Sequence, residues 1–177
     1  MKLSIRYYGD PILRTKAKAI EEITPEIIQL AHDMVAAMVE YNGVGLAAPQ
    51  VGHLLRIYVF RDEWLTENGQ YELGHPQVVI NPVLTSPSKD TETMLEGCLS
   101  LPNLHVKVTR PKKIHISYQN LKGEIIEQEL EGFLARVNMH ENDHLNGVLH
   151  IDRAAPKDRN AIEAGLQKIK QQYPQTV

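Results

Sequence analysis

The chain has 177 residues, of which 42% are hydrophobic and 23% charged, the balance of one globular domain, residues 1–177, with a substantial core. Its net charge of -3 gives no bias toward nucleic acid or anionic lipid, so neither DNA nor a membrane is an expected partner. The N-terminus lacks the apolar segment of a signal peptide, and no apolar run reaches membrane-spanning length. The single cysteine, Cys98, excludes an intramolecular disulfide and fits a reducing compartment, so a cytoplasmic protein is predicted.

The first strong element is a helix that begins after Thr24. Threonine is a favourable N-cap residue, and Pro25 suits the first helical position. Apolar residues then recur at helical spacing as far as Met38. Asn42 and Gly43 end the pattern, and Gly43 is predicted to be the left-handed residue that closes the helix.

A small-residue segment, residues 43–50 (GVGLAAPQ), follows the helix. Its two glycines and two alanines allow another group to approach the backbone closely. A phosphate-binding loop is excluded, because the segment lacks both the Gly-Lys-Ser/Thr ending and the GxGxxG spacing. On the segment alone, Gln50 is either an amide aimed into a site or a partly exposed side chain in a helix-to-strand turn.

Strands dominate the middle of the chain. Short apolar runs and alternating patterns predict strands at 55–60, 78–80, 106–108, 114–118 and 124–130. Asn81-Pro82 is expected to stop the second of these strands, because proline cannot donate to the ladder. The polar segments between strands, residues 61–76 and 84–93, are predicted to be surface loops.

The pattern becomes helical again from Gly132 and stops at Asn146-Gly147. A last amphipathic helix follows Pro156. The predicted fold class is therefore α+β: a single domain with antiparallel β-sheets around a central helix, an N-terminal helix and a C-terminal helix.

The central helix carries His140-Glu141-Asn142-Asp143-His144, a His-Glu-x-x-His motif. Residues four apart lie on one face of a helix, so both imidazoles can reach one metal ion, and Glu141 can reach a water molecule bound to it. By itself the motif is also compatible with the polar face of an ordinary helix. A third ligand decides between the two interpretations.

Two residues compete for the third position. His150 completes the HExxHxxGxxH spacing of metzincin proteases, but the methionine that such a protease needs downstream is missing, since Met139 is the last one in the chain. Cys98 lies in the polar setting Glu-Gly-Cys-Leu-Ser, and a thiolate is a strong ligand for Zn²⁺ or Fe²⁺. One thiolate and two imidazoles leave a fourth position open, as in catalytic sites.

Three motifs together are similar to those of bacterial peptide deformylases: residues 43–50, 96–100 and 140–144. They occur in the order and at the spacings of that family. The N-terminal residues 9–14 and the C-terminal helix resemble it too, so the resemblance covers nearly the whole chain.

The resemblance implies a metal-dependent hydrolase that removes the formyl group from the formylmethionine of new polypeptides and releases formate. It implies one divalent ion, with Fe²⁺ as the metal; Zn²⁺ suits the same ligands. The resemblance implies that Cys98, His140 and His144 bind the metal and that Glu141 carries the proton. It implies that the Gln50 side chain and the Leu99 N–H stabilise the oxyanion. The substrate backbone would approach closely at Gly45, and the candidate walls of the methionine pocket are Val44, Phe133 and Val137.

Two positions depart from the family pattern. His105 stands where the family often has an arginine along the peptide path, and it remains a candidate substrate contact. His150 stands where an aromatic or apolar residue is usual, and it is expected to be partly exposed and not a ligand. Arg110 is expected either to pair with Glu96 or to be solvated.

The expected partners are N-formylmethionyl nascent peptides. Basic residues near the C-terminus would suit an RNA surface and a transient ribosome contact, although a solvated charged face is the favoured interpretation. These residues are Lys157, Arg159, Lys168 and Lys170.

Overall fold

The computed structural model describes residues 2–174. Its helices are α1 (Pro25–Glu40), α2 (Gly132–Leu145), α3 (Pro156–Ala161) and α4 (Glu163–Gln172). Its strands are β1 (Gly45–Ala47), β2 (Ile57–Phe60), β3 (Glu63–Leu65), β4 (Tyr71–Leu73), β5 (Gln77–Thr85), β6 (Thr91–Cys98), β7 (Leu101–Pro111), β8 (Lys113–Gln119) and β9 (Ile125–Glu131). Short 3-10 turns occupy Pro11–Arg14, Ala48–Val51 and His150–Arg153.

Every strand pair within the sheets is antiparallel. The largest sheet has the strand order β1-β2-β5-β8-β9, and β3-β4 and β6-β7 form two separate hairpins. Helix α2 contacts strands of the large sheet and also β7, so it lies between the large sheet and the β6-β7 hairpin. The predicted fold class, antiparallel sheets around a central helix, is confirmed.

Helix α1 begins as the sequence predicts but ends differently. The Thr24 side chain accepts a hydrogen bond from the Ile27 N–H. At the other end Asn42 has the left-handed conformation, with φ 54°, so the prediction that Gly43 closes the helix is wrong. The Gly43 N–H reaches the Met38 carbonyl at 2.8 Å, the bond that follows a left-handed residue at a helix end.

Gly43 is needed for a different reason. A Cβ atom there would lie 2.8 Å from the Leu99 side chain, so the glycine lets the turn between β6 and β7 pack against this segment.

Strand β5 continues through Asn81-Pro82, where the sequence predicted a stop. Its register with β8 shifts between Ile80 and Val83, and Asn81 has φ 50°. A bulge takes these residues out of the ladder, so Pro82 loses no strand bond. The Asn81 side chain bonds the Ile20 backbone instead, at 2.9 and 2.7 Å.

Three other segments differ from the predicted elements. The predicted loop at 61–76 holds the β3-β4 hairpin, and the predicted loop at 84–93 includes the start of β6. The predicted C-terminal helix is divided at Ile162 into α3 and α4. Within residues 2–174, no helix combines the length and the apolar character needed to cross a membrane.

Candidate active site

The two histidines of the His-Glu-x-x-His motif lie one turn apart on α2, with ring centroids 5.0 Å from each other. Cys98, the last residue of β6, brings its Sγ to 3.3 Å from His144 Nε2. The ligand atoms of Cys98, His140 and His144 all lie within 4.8 Å of one another. This donor set of one thiol and two imidazoles fits a single divalent metal ion.

Glu96 orients His140. Its Oε1 lies 3.0 Å from His140 Nδ1, so the other ring nitrogen faces the site. Histidines that bind metals usually donate their second N–H to a carboxylate in this way, which fixes the tautomer and the ring orientation. The sequence indicated Glu96 as a neighbour of Cys98 and a possible partner of Arg110, but not as a partner of His140. Its position two residues before Cys98 along a strand was the available signal.

Glu96 is itself held by two buried arginines. Arg110 donates from Nε and Nη2 at 2.6 and 2.9 Å, and Arg136 donates from Nη1 at 2.6 Å. Burial favours the neutral acid, but the hydrogen bonds from Arg110 and His140 outweigh it and hold the pKa of Glu96 well below its usual range. Of the two alternatives for Arg110, the structure shows the pairing with Glu96 and not a solvated side chain, and Arg136 is a partner that the sequence did not indicate.

Glu141 lies in the wall of the site against Gly45. A Cβ atom at Gly45 would be 2.2 Å from Glu141 Oε1, so no larger residue fits there without displacing the carboxylate. Burial raises the pKa of Glu141 to about 7. Its Oε2 has no hydrogen-bond partner among the described residues, so this oxygen is available to a reacting group.

Gln50 is buried, which removes the alternative of a partly exposed side chain. Its Oε1 accepts a hydrogen bond of 2.8 Å from the Ala47 N–H, and this fixes which end of the amide faces the site. The Nε2 donates toward Cys98 Sγ at 3.4 Å and Ser100 Oγ at 3.1 Å. The amide donor therefore lies directly beside the candidate metal ligand.

One cavity of about 540 Å³ is lined by Gln50, Glu96, Cys98 and His140. The residues predicted for the substrate all line it, together with Leu99 and Glu141; they are Val44, Gly45, His105, Phe133 and Val137. His105 is exposed, and its imidazole lies over Gly97, where an added Cβ would come within 2.8 Å of Nε2. The structure thus brings the predicted substrate residues to one place, while their contacts with substrate remain predictions.

His150 lies behind the site and outside the ligand group. Its ring is 5.6 Å from that of His140, and only 1% of the residue is exposed, so the expectation of a partly exposed side chain is wrong. It sits in a 3-10 turn that packs against the β6-β7 hairpin. Burial, with the nearby His140, lowers the pKa of His150 to about 3, so the ring is neutral.

An α+β fold with a Cys-His-His donor set, a buried glutamate and an oriented amide defines a hydrolase of the metal-dependent class. Comparisons with known proteins are consistent with this class. The chain belongs to the polypeptide deformylase family, whose sequence profile matches residues 2–160.

The relatives are similar over nearly their whole length. Peptide deformylase from Thermotoga maritima is 44% identical over 166 residues, which cover 93% of this chain and 94% of the relative. The crystal structure from that organism has a TM-score of 0.79 at 45% identity, covering 88% and 99% of the two chains. An inhibitor complex of Arabidopsis thaliana peptide deformylase 1B has a TM-score of 0.85 at 34% identity, covering 98% and 92%.

The family membership confirms the enzyme class predicted from the sequence, a peptide deformylase. The metzincin alternative is not favoured, because His150 is absent from the group of ligand atoms that converge and the matching family is a different one.

Proposed function

We propose that this chain removes the formyl group from the N-terminal formylmethionine of newly made polypeptides and releases formate. The observation that carries the proposal is the convergence of the Cys98, His140 and His144 ligand atoms beside a cavity that Cys98, His140, Glu141 and Gln50 line, in a deformylase-family fold.

The metal ligands are Cys98, His140 and His144, and Glu96 keeps His140 in the ligating orientation. Fe²⁺ is the metal implied by the family resemblance, and Zn²⁺ accepts the same donor set. When bound, such an ion acts as a Lewis acid and makes hydroxide available near neutral pH. The remaining steps depend on side chains of the chain itself.

Glu141 moves the proton. Its carboxylate takes a proton from the attacking water and passes it to the departing amine as the C–N bond breaks. A pKa of about 7 suits both transfers, because the group can accept and release a proton near neutral pH. The close fit against Gly45 holds the carboxylate in place for this exchange.

Gln50 and Leu99 stabilise the negative oxygen of the tetrahedral intermediate. The Gln50 amide is oriented before substrate binds, since Ala47 holds its oxygen. The Leu99 N–H lies in the turn between β6 and β7 and has no hydrogen-bond acceptor among the described residues. Removing one such donor typically reduces the rate by about 10²- to 10³-fold.

The substrate backbone binds beside β1, which is an edge strand of the large sheet. A peptide added at this edge gains main-chain hydrogen bonds that are independent of its sequence. The methionine side chain enters the apolar part of the cavity beside Val44, Phe133 and Val137, and His105 lies along the peptide path.

The reaction takes place in the cytoplasm, where a reducing environment keeps the Cys98 thiolate available to the metal. A ribosome contact through the basic residues of α3 and α4 has weaker support. Arg159 pairs with Glu163 at 2.5 Å, and Lys170 lies 5.2 Å from the centre of the Tyr8 ring. These contacts favour a solvated charged face over an RNA surface.

The test is formate release from a formyl-Met peptide, with metal content measured on the same anaerobically purified sample. Glu141→Ala is expected to keep the metal and to lose turnover by about 10²-fold or more, because the proton carrier is removed. If Glu141→Ala turns over at the wild-type rate, the chain is a metal-stabilised binding module and the proposal is wrong.

A further inference from the structure

One buried carboxylate of α2 stands next to a candidate metal ligand in the sequence without belonging to the ligand group. Asp143 comes directly before His144, and only 8% of its side chain is exposed. Its Oδ2 accepts a hydrogen bond of 2.9 Å from Arg110 Nη1. The same guanidinium donates from Nε and Nη2 to Glu96. Arg110 therefore joins Asp143 to the carboxylate that orients His140.

Arg153 holds Asp143 from the opposite side. It is the last residue of the 3-10 turn His150–Arg153, and it donates from Nε to Oδ2 at 2.6 Å and from Nη2 to Oδ1 at 2.7 Å. The hydrogen bonds to Asp143 raise the pKa of Arg153, so its guanidinium stays charged. Two bonds from a planar guanidinium to one carboxylate fix both the position and the plane of the carboxylate.

These contacts form a continuous path from the surface to a candidate ligand. The path starts at Arg153, whose side chain is 46% exposed, and it ends where Glu96 Oε1 lies 3.0 Å from His140 Nδ1. Every hydrogen bond along it involves an ionised group and measures 3.0 Å or less. Bonds of this kind are the strong ones in proteins, so a displacement at one end is transmitted to the other.

The direction of the effect separates positioning from simple charge. A positive side chain near a bound cation weakens metal binding by Coulomb repulsion, so the loss of such a charge would slow metal release. The loss of an orienting bond has the opposite effect. Without Arg153, Asp143 keeps Arg110 as its one side-chain partner and can move toward the vacated surface, and Arg110 then loses its fixed position against Glu96.

We propose that Arg153 is a positioning residue for the metal site. By holding Asp143 it restrains the pair formed by Arg110 and Glu96, and that pair keeps His140 in its ligating orientation. This inference rests on the proposed function, because it takes the metal site proposed there as given.

The test measures how fast Zn²⁺ leaves the metal-loaded protein after a chelator is added in excess. Residues bonded directly to a metal ligand typically change metal affinity by about 10- to 100-fold. Arg153 acts from further away, so Arg153→Met is expected to release Zn²⁺ about three- to tenfold faster than wild type.

The matched control is Arg14→Met. Arg14 binds the same 3-10 turn through Asp152, and its side chain is 44% exposed. The control therefore loses the same charge and a contact of the same turn, but it leaves the bonds of Asp143 in place. Its Zn²⁺ release is expected to stay within about twofold of wild type, as for a surface ion pair.

A second pair of variants keeps the charge. In Arg153→Lys an ammonium group replaces the planar guanidinium and cannot reproduce the two-bond contact with Asp143. Faster release is therefore expected from Arg153→Lys and not from Arg14→Lys. This pair also provides the comparison if Arg153→Met yields too little folded protein.

The Nδ1 proton of His140 reports the path itself. It is bonded to Glu96, so its NMR resonance in the Zn²⁺-loaded protein depends on that hydrogen bond. We expect this resonance to shift in Arg153→Met and Arg153→Lys and to stay at its wild-type position in the two Arg14 variants.

Equal release rates at positions 153 and 14 overturn the proposal, and so does slower release from Arg153→Met, which would indicate charge repulsion alone. Faster release with an unchanged His140 resonance also overturns it, because the effect would then bypass Glu96. If wild-type protein holds the metal but releases no formate from a formyl-Met peptide, the proposed function is wrong, whereas the comparison of release rates still stands.

Discussion

At the scale of single residues, the site depends on orientation as much as on the type of side chain. Gln50 can serve as a donor because Ala47 holds its oxygen, and Glu141 is placed by its fit against Gly45. The sequence predicted both side chains and the need for a close approach at Gly45. It could not show that the approaching group is Glu141, because that contact joins positions nearly a hundred residues apart.

The protonation of Glu141 predicts a pH dependence of the reaction. Only the ionised carboxylate accepts a proton from water, and burial raises its pKa to about 7. A cation bound nearby favours the ionised form and lowers that pKa. The acidic limb of kcat/KM is therefore expected at or below about pH 7, with activity falling as pH drops through it. A limb in wild type above pH 8, or the same limb retained in Glu141→Gln, contradicts this assignment.

His150 shows where residue-level reasoning fails. Its sequence spacing fits a metal ligand well, yet its ring lies behind His140 and outside the converging group. Spacing does not fix the path of the chain after the helix ends at Leu145, and here the 3-10 turn that holds His150 packs against the β6-β7 hairpin.

At the scale of elements, the β6-β7 hairpin supplies the third candidate metal ligand and the carboxylate that orients His140, neither of which lies on the central helix. Strand β6 carries Cys98 and Glu96, and β7 carries Arg110, which joins Glu96 to Asp143 of α2. The predicted strands and helices were found in the right order. The sequence missed the length of the hairpin because the exposed polar residues from Thr91 onward resemble a loop, although cross-strand pairing with β7 keeps them extended.

The buried Glu96 carboxylate of β6 is expected to contribute both to the stability of the fold and to metal affinity. Glu96→Gln leaves Arg110 and Arg136 without their shared anion, which typically costs about 3 to 5 kcal/mol when a buried pair is broken. Metal affinity should fall by about 10- to 100-fold, because His140 loses its orienting carboxylate. Urea unfolding and metal titration measure the two effects, and Glu92→Gln, an exposed residue on the same strand, is the matched control.

The same carboxylate sets a dependence of stability on pH. The folded pKa of Glu96 is lowered, so its contribution to stability is fully present above about pH 4.5, its ordinary value, and is lost as pH falls toward the folded value. Glu96→Gln should therefore flatten the loss of unfolding free energy below pH 4.5. An identical acid profile in wild type and Glu96→Gln would show that the carboxylate is not held by its partners.

At the scale of the whole molecule, three distant segments meet around α2. The small-residue segment brings Gln50, the β6-β7 turn brings Cys98 and Leu99, and the helix brings both histidines. The fold class and the convergence of Cys98, His140 and His144 could be predicted because the three motifs are short and distinctive. The stacking of Tyr7 on Tyr173 could not be predicted, since neither residue belongs to a motif and the two rings meet only through the packing of the N-terminal segment against the C-terminal residues.

The central claim is that Cys98, and not His150, completes the metal site of a deformylase. Metal content and formate release from a formyl-Met peptide, measured together on anaerobically purified Cys98→Ala and His150→Ala, test it most directly. We predict that Cys98→Ala loses the metal and the activity, whereas His150→Ala keeps the metal and continues to release formate. Metal retained in Cys98→Ala and lost in His150→Ala would contradict this account and restore the metzincin interpretation.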